Sequence, residues 1–167
     1  GGSTVTTVQD TTAPASPSNV LQWKYDNGGT SGHGIGEVYH SLPNVNQIYV
    51  AFAVKHDANF EFNKISNKLL YLEPGNMILQ SFGYGGWWYI YKAGTDYKPQ
   101  INTPITVGQW ERVEVLADGV AGNVKVWING ELRSNQNMVF GSSWNEVKLS
   151  SVWVAALDRE HEILIVG

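Results

Sequence analysis

The sequence has no cysteine, few charges and no long apolar run, and each lack removes a class of protein. Without cysteine there is no disulfide framework, thiolate metal ligand or thiol nucleophile, and the redox compartment stays open. Charged residues make up 16 % of the chain and the formal net charge is −4, so with no basic cluster a nucleic-acid partner is not expected. No apolar stretch approaches the roughly 20 residues that span a bilayer as a helix, and no membrane partner is expected. No segment keeps helical periodicity beyond one turn. The N-terminus lacks a charged segment followed by an apolar one, so no signal peptide is visible. Gly1-Gly2-Ser3, without an initiator Met, reads as the start of an excised module. No Asn-x-Ser/Thr sequon occurs, which weakly favours a bacterial or viral source.

What is present is alternation and aromatic rings. The 167 residues suggest one domain, long enough to bury a core without staples. Val113 and Val115 alternate with Arg112 and Glu114. Val124, Val126 and Ile128 alternate with Lys125, Trp127 and Asn129. Successive side chains of a strand point to opposite faces, so each segment has an apolar side and a polar or aromatic side. Asp118–Asn123 carries two glycines and can reverse the chain, and Asn129-Gly130 is a second turn signal.

Residues 1–19, rich in Ser, Thr, Ala and Pro, read as a linker or tail, and residues 20–167 as one domain. Strands are expected at Val20–Tyr25, Glu37–Ser41, Gln47–Lys55, Lys68–Leu72, Met77–Phe82 and Trp87–Lys92. A long loop is expected over Ala93–Gly108, and another from the central hairpin through Asn137. Closing strands follow at Trp144–Leu149, Ser151–Ala156 and Glu162–Val166. Many short strands with Gly and Asn turns mean an all-β, antiparallel sandwich or barrel.

The run Trp110-Glu111-Arg112-Val113-Glu114-Val115, followed by Gly122-Asn123-Val124-Lys125-Val126-Trp127-Ile128-Asn129-Gly130, resembles the concanavalin A-like lectin/glucanase superfamily. In that group a W-x-x-φ-x-φ strand precedes G-x-φ-x-φ-W-φ-[DN]-G. Ile48–Phe52, Asn67–Leu72 and Glu160–Ile165 agree with it. The resemblance implies a two-sheet jelly-roll sandwich, laminin-G-like or polysaccharide lyase-like, whose concave face often takes a polysaccharide. It also admits a structural calcium ion at a sandwich edge, though no loop has a calcium signature and no other cofactor is implied. Asp10, Asp26 and Asp158 are candidate donors, each more simply a surface carboxylate.

Two constellations point to a sugar ligand. In Trp87-Trp88-Tyr89-Ile90-Tyr91, alternation puts Trp88 and Ile90 on one face and Trp87, Tyr89 and Tyr91 on the other. Rings stack on the C–H faces of sugars while phenol hydroxyls bond sugar hydroxyls. The bland alternative is that the three rings pack under the loop that follows. Arg112, Glu114 and Lys125 beside Trp127 form the second group, since a guanidinium and a carboxylate can each bridge adjacent hydroxyls. Its alternative is a solvated cross-strand ion pair of little energetic weight. Both groups, with Gln80, are expected to line one concave face. Lys68, Leu70 and Leu72, or the residues alternating with them, are expected to add to it.

Catalytic patterns are weaker. Glycosidases need two carboxylates across the scissile bond, but the spacing of Glu111 and Glu114 puts them on opposite faces, and Glu160/Glu162 read as a solvated edge. Tyr91–Tyr97 resembles one strand of an alginate lyase family without its companion strands. His33, His40, His56 and His161 lack ligand spacing, so zinc is not expected. The expectation is therefore a non-catalytic carbohydrate-binding, lectin-like module, extracellular or on a virion surface, and either a monomer or a module of a larger protein. Its rivals are a small polysaccharide lyase or glycoside hydrolase, and an adhesion or virion-decoration module that uses the aromatic face for protein.

Overall fold

The computed structural model describes residues 4–14, 19–25, 37–62, 67–74, 77–82, 86–92, 100–137, 143–152 and 161–166. Thirteen strands and no helix occur among these residues, and the strands pair antiparallel throughout. In chain order they are β1 (Thr4–Val8), β2 (Val20–Tyr25), β3 (Glu37–Val45), β4 (Gln47–His56), β5 (Asn67–Glu73), β6 (Met77–Phe82) and β7 (Trp87–Lys92). They continue as β8 (Gln100–Pro104), β9 (Glu111–Asp118), β10 (Asn123–Ile128), β11 (Glu131–Asn137), β12 (Trp144–Val152) and β13 (His161–Val166). One sheet has the order β1-β2-β13-β4-β9-β10-β11 and the other β3-β12-β5-β6-β7-β8. The architecture is an antiparallel jelly-roll sandwich.

The alternation in the sequence decides which residues fill the space between the sheets. The seven-stranded sheet turns Trp23, Phe52, Val54, Val113, Val115, Val126 and Ile163 inward. The six-stranded sheet answers with Leu70, Leu72, Leu79, Trp88 and Ile90, and all twelve are buried in one continuous cluster. Truncating any one of the Leu or Ile side chains here would cost about 2–5 kcal/mol. Three of the seven Trp residues (Trp23, Trp88 and Trp144) are core fillers.

The turns follow the expected chemistry. Asn129 and Gly130 both adopt positive φ, 52° and 80°, as a two-residue type I′ hairpin requires. The Asn129 side chain then accepts a hydrogen bond from the Arg112 N–H at 2.8 Å, and its own N–H donates to the Arg112 carbonyl at 2.8 Å. At the other end of the hairpin, Asp118 Oδ1 accepts from the N–H groups of Val120 and Ala121.

Five stretches differ from expectation. The tail supplies β1, which pairs with β2 along its whole length. Thr-Val-Thr-Thr-Val has β-branched side chains suited to a strand, and Pro14 falls after it. β3 runs through Pro43 because it is an edge strand, where the missing N–H removes no ladder bond. Gln100–Pro104 and Glu131–Asn137 are the edge strands β8 and β11, polar enough to read as loops. One strand, β12, replaces the two expected between Trp144 and Ala156; residues 153–156 lie outside the described ones.

Candidate functional site

Inward commitment of alternate residues leaves each sheet with an outer face. On β7, burial of Trp88 and Ile90 leaves Trp87, Tyr89 and Tyr91 half-buried on the outside of the six-stranded sheet. Strand register extends this aromatic set sideways. Tyr91 lies opposite Ile78 of β6, Ile78 opposite Tyr71 of β5, Tyr71 opposite Lys148 of β12, and Lys148 opposite Tyr39 of β3. One row thus crosses five strands and carries three tyrosines. The next row holds Lys68, Gln80, Tyr89 and Gln100. Gln80 stands opposite Tyr89 in the register, while its side chain lies outside the described residues.

The β12 end of this face carries charge. Lys148 Nζ lies 3.4 Å from Glu37 and 3.8 Å from Glu146, and 5.6 Å from the centroid of the Tyr71 ring. Burial, with the neighbouring charges of Glu37 and Glu73, pushes the Tyr71 phenol up to about 12. Tyr71 therefore keeps its proton at any physiological pH and can donate it in a hydrogen bond. Tyr39 is 66 % exposed, so this end of the row is open to solvent.

Arg112, Glu114, Lys125 and Trp127 do not join this surface. Their strands β9 and β10 belong to the other sheet, and because Val113, Val115, Val126 and Ile128 face the core, the four residues point away from it on the opposite side of the sandwich. The expectation of one shared face is thereby corrected. Alternation fixes a residue's side of its own strand but not the sheet that strand joins. On that second face Glu114 Oε1 accepts from Arg112 Nη2 at 3.1 Å and from the Tyr49 hydroxyl. The Arg112 hydrogen bond, reinforced by that of Tyr49, holds the Glu114 carboxyl below its ordinary range, so it is ionised at neutral pH. Trp127 stands directly across from Glu114, half-buried.

Another part of the second face is covered by the segment from Asp10 to Ala13. Asp10 pairs with Lys55 and accepts from the Thr12 hydroxyl at 2.6 Å, and the Trp110 ring donates to Thr12 at 3.0 Å while Lys55 sits 5.1 Å from its centroid. The hydrogen bond from Lys55, then that from Thr12, lowers the Asp10 carboxyl to about 2. Beneath this strap, Ala13 packs with Val20, Ala53 and Leu164. Asp10, named as a calcium donor, is thus committed to Lys55 and Thr12; Asp26 and Asp158 lie outside the described residues. Among the described residues no three His, Asp or Glu side chains gather as a metal site.

Glu111 and Glu114 face opposite sides of the seven-stranded sheet. Glu111 is 2 % exposed and turned into the core, where burial raises its carboxyl to about 7 against a hydrogen bond from the Thr106 backbone. The two carboxylates cannot flank one glycosidic bond. His33, Ala93–Tyr97 and Glu160 lie outside the described residues, as does the side chain of Glu162. Tyr39 and Lys148 belong to the aromatic face and were not singled out from sequence; Tyr71 was covered only as a residue alternating with Leu70 and Leu72, which face the core. The alternation of Tyr71 and Glu73 with Leu70 and Leu72 was the available signal, obscured by a register shift between Lys68 and Leu70.

The fold and its two faces define a class before any relative is considered: an antiparallel jelly roll with an aromatic outer sheet face. No protein-family model and no curated protein matches the sequence. Solved structures do. The cellulose induced protein Cip1 is similar with a TM-score of 0.67 at 16 % identity, over 99 % of this chain and 84 % of Cip1. A sialidase is similar with a TM-score of 0.65 at 11 % identity, over 99 % of this chain but only 17 % of the sialidase. A structure titled for the dependence of botulinum neurotoxin type C cell entry on two ganglioside molecules is similar with a TM-score of 0.58 at 16 % identity, covering 98 % of this chain and 41 % of that one. At these identities the likeness shows the fold, a concanavalin A-like jelly roll.

Proposed function

We propose that the protein is a non-catalytic carbohydrate-binding module of lectin type. A polysaccharide chain lies on the outer face of the six-stranded sheet, with Trp87, Tyr89 and Tyr91 as stacking platforms and Gln80 reading hydroxyls beside them. The observation that carries this reading is the row of rings that continues from the half-buried ones of β7 through Tyr71 to the exposed Tyr39. Rings exposed in register along one face match the repeating apolar faces of a sugar chain, and their hydroxyls can serve its polar edges. The neighbouring structures lend support of a coarser kind, since one is titled for interaction with gangliosides and another is named a sialidase. A polymeric glycan ligand is met outside cells or on a virion surface, and the proposal places the module there.

Arg112 and Glu114, with Lys125 and the Trp127 ring, offer a separate contact on the opposite side. Affinity gel electrophoresis on a polysaccharide panel tests the assignment. Tyr89→Ala is expected to weaken retardation about tenfold, the equivalent of roughly 1.4 kcal/mol, while Trp127→Ala leaves binding at the six-stranded sheet intact. Loss of all binding in Trp127→Ala with none in Tyr89→Ala would refute the choice of face.

A further inference from the structure

We propose that the glycan taken by the six-stranded sheet is uncharged, a polymer of neutral sugars, and that Glu37 and Glu146 enforce this by holding Lys148 as a donor to hydroxyls. The inference rests on the sugar-binding reading and narrows it to a ligand class.

Cations set whether a sugar face can take uronates, sulfates or sialic acids; here they are few, and the one at the charged end, Lys148, is committed to carboxylates. Among the described residues on this face the cations are Lys148 and, one row away, Lys68. Lys148 has carboxylates at 3.4 and 3.8 Å, and its side chain is only 21 % exposed because it lies over the Tyr71 ring. A third carboxylate, Glu73, stands directly opposite Glu146 in the register. An anionic group approaching the ammonium therefore meets three like charges for each opposite one. Arranged repulsion of this kind is one of the two ways an interface discriminates against a competitor.

A neutral polyol meets no such conflict. Its hydroxyl oxygens accept from Lys148 and from the Tyr71 phenol, which stays protonated, and its hydroxyl protons go to Glu37, Glu73 and Glu146. Groups that donate and accept within one small area suit a ligand whose every polar group does both.

The test is affinity gel electrophoresis at low and high salt on two panels, neutral polymers (β-glucan, xylan, mannan) and anionic ones (alginate, polygalacturonate, heparin). The wild-type protein is expected to be retarded by at least one neutral polymer, with little change at high salt, and by no anionic one. Glu37→Gln/Glu146→Gln changes two partly exposed side chains. It is expected to gain retardation on an anionic polymer that high salt abolishes, as an unmasked ammonium requires. Lys148→Ala is expected to make no such gain. Wild-type retardation by a polyanion, salt-sensitive and lost in Lys148→Ala, would overturn the neutral-ligand claim while leaving sugar binding standing. Absence of any gain in the double variant would overturn the role of the two carboxylates. If no polymer of either kind is retarded, the sugar reading fails and takes this inference with it.

Discussion

The inward-facing Glu111 makes stability depend on pH in a way that one substitution should abolish. Its carboxyl is 2 % exposed, Oε2 has no hydrogen-bond partner among the described residues, and burial raises its pKa from 4.5 to about 7. Below pH 4.5 the carboxyl is protonated in both folded and unfolded chains, and no penalty arises. Between 4.5 and 7 the unfolded chain gives up the proton that the folded chain keeps. Stability then falls as pH rises, because the unfolded state binds fewer protons. Above pH 7 the loss levels off. The interval is about 2.5 pH units at 1.36 kcal/mol each, or about 3 kcal/mol in full. Glu111→Gln preserves the shape of the protonated acid and cannot ionise. Urea unfolding followed by Trp fluorescence should therefore give nearly equal stabilities for the two proteins below pH 4.5. Above pH 7 the variant should be more stable by up to about 3 kcal/mol. Parallel pH profiles for the two proteins would refute the assignment of the slope to Glu111.

His56 governs the acid side. Its ring is packed against Phe60, Phe62 and Trp88, and burial lowers its pKa from 6.5 to about 3. As pH falls through 6.5 the unfolded chain takes up a proton the folded chain refuses, so stability drops from there towards pH 3. His56→Phe should flatten that limb of the same urea series. Asn129→Ala keeps a β-carbon at φ 52° without the polar side chain that lets asparagine tolerate the left-handed region, and removes the acceptor for the Arg112 N–H, which together should cost about 1–2 kcal/mol. Asn129→Gly relieves the strain but not the lost bond, and its urea midpoint should fall between those of the wild type and the alanine variant.

Most of the jelly roll was legible in the sequence wherever a strand has one dry side. β7, β9 and β10 alternate cleanly because their apolar residues meet the opposite sheet while the intervening ones lie on an outer face, and β4 does so except at Ala53, buried beneath the Asp10–Ala13 segment. Edge strands were harder. β11 pairs on one flank only and has one buried residue, Ser134, so Glu131–Asn137 carries almost no apolar signature. β1 escaped for a similar reason, its threonines being as common in linkers as in strands. The candidate site was legible as residue types and as sides of single strands. It was not legible as a surface, because pairing between distant segments decides which strands share a sheet. β9 joins β4, and β5 joins β12. Hence the Trp87 group and the Trp127 group, alike in chemistry, sit back to back.

The place of β13 has a consequence for how the chain is assembled. It lies between β2 and β4, forming antiparallel ladders to each, although both are separated from it by more than a hundred residues of sequence. Until His161–Val166 arrives, the first two strands are an isolated ribbon, and a lone two-stranded ribbon is marginal in water. The keystone of the larger sheet is thus made last, and contacts of such long range mean slow folding. Loss of those six residues would split the sheet into two separate pieces, which trimming a strand from its rim would not do.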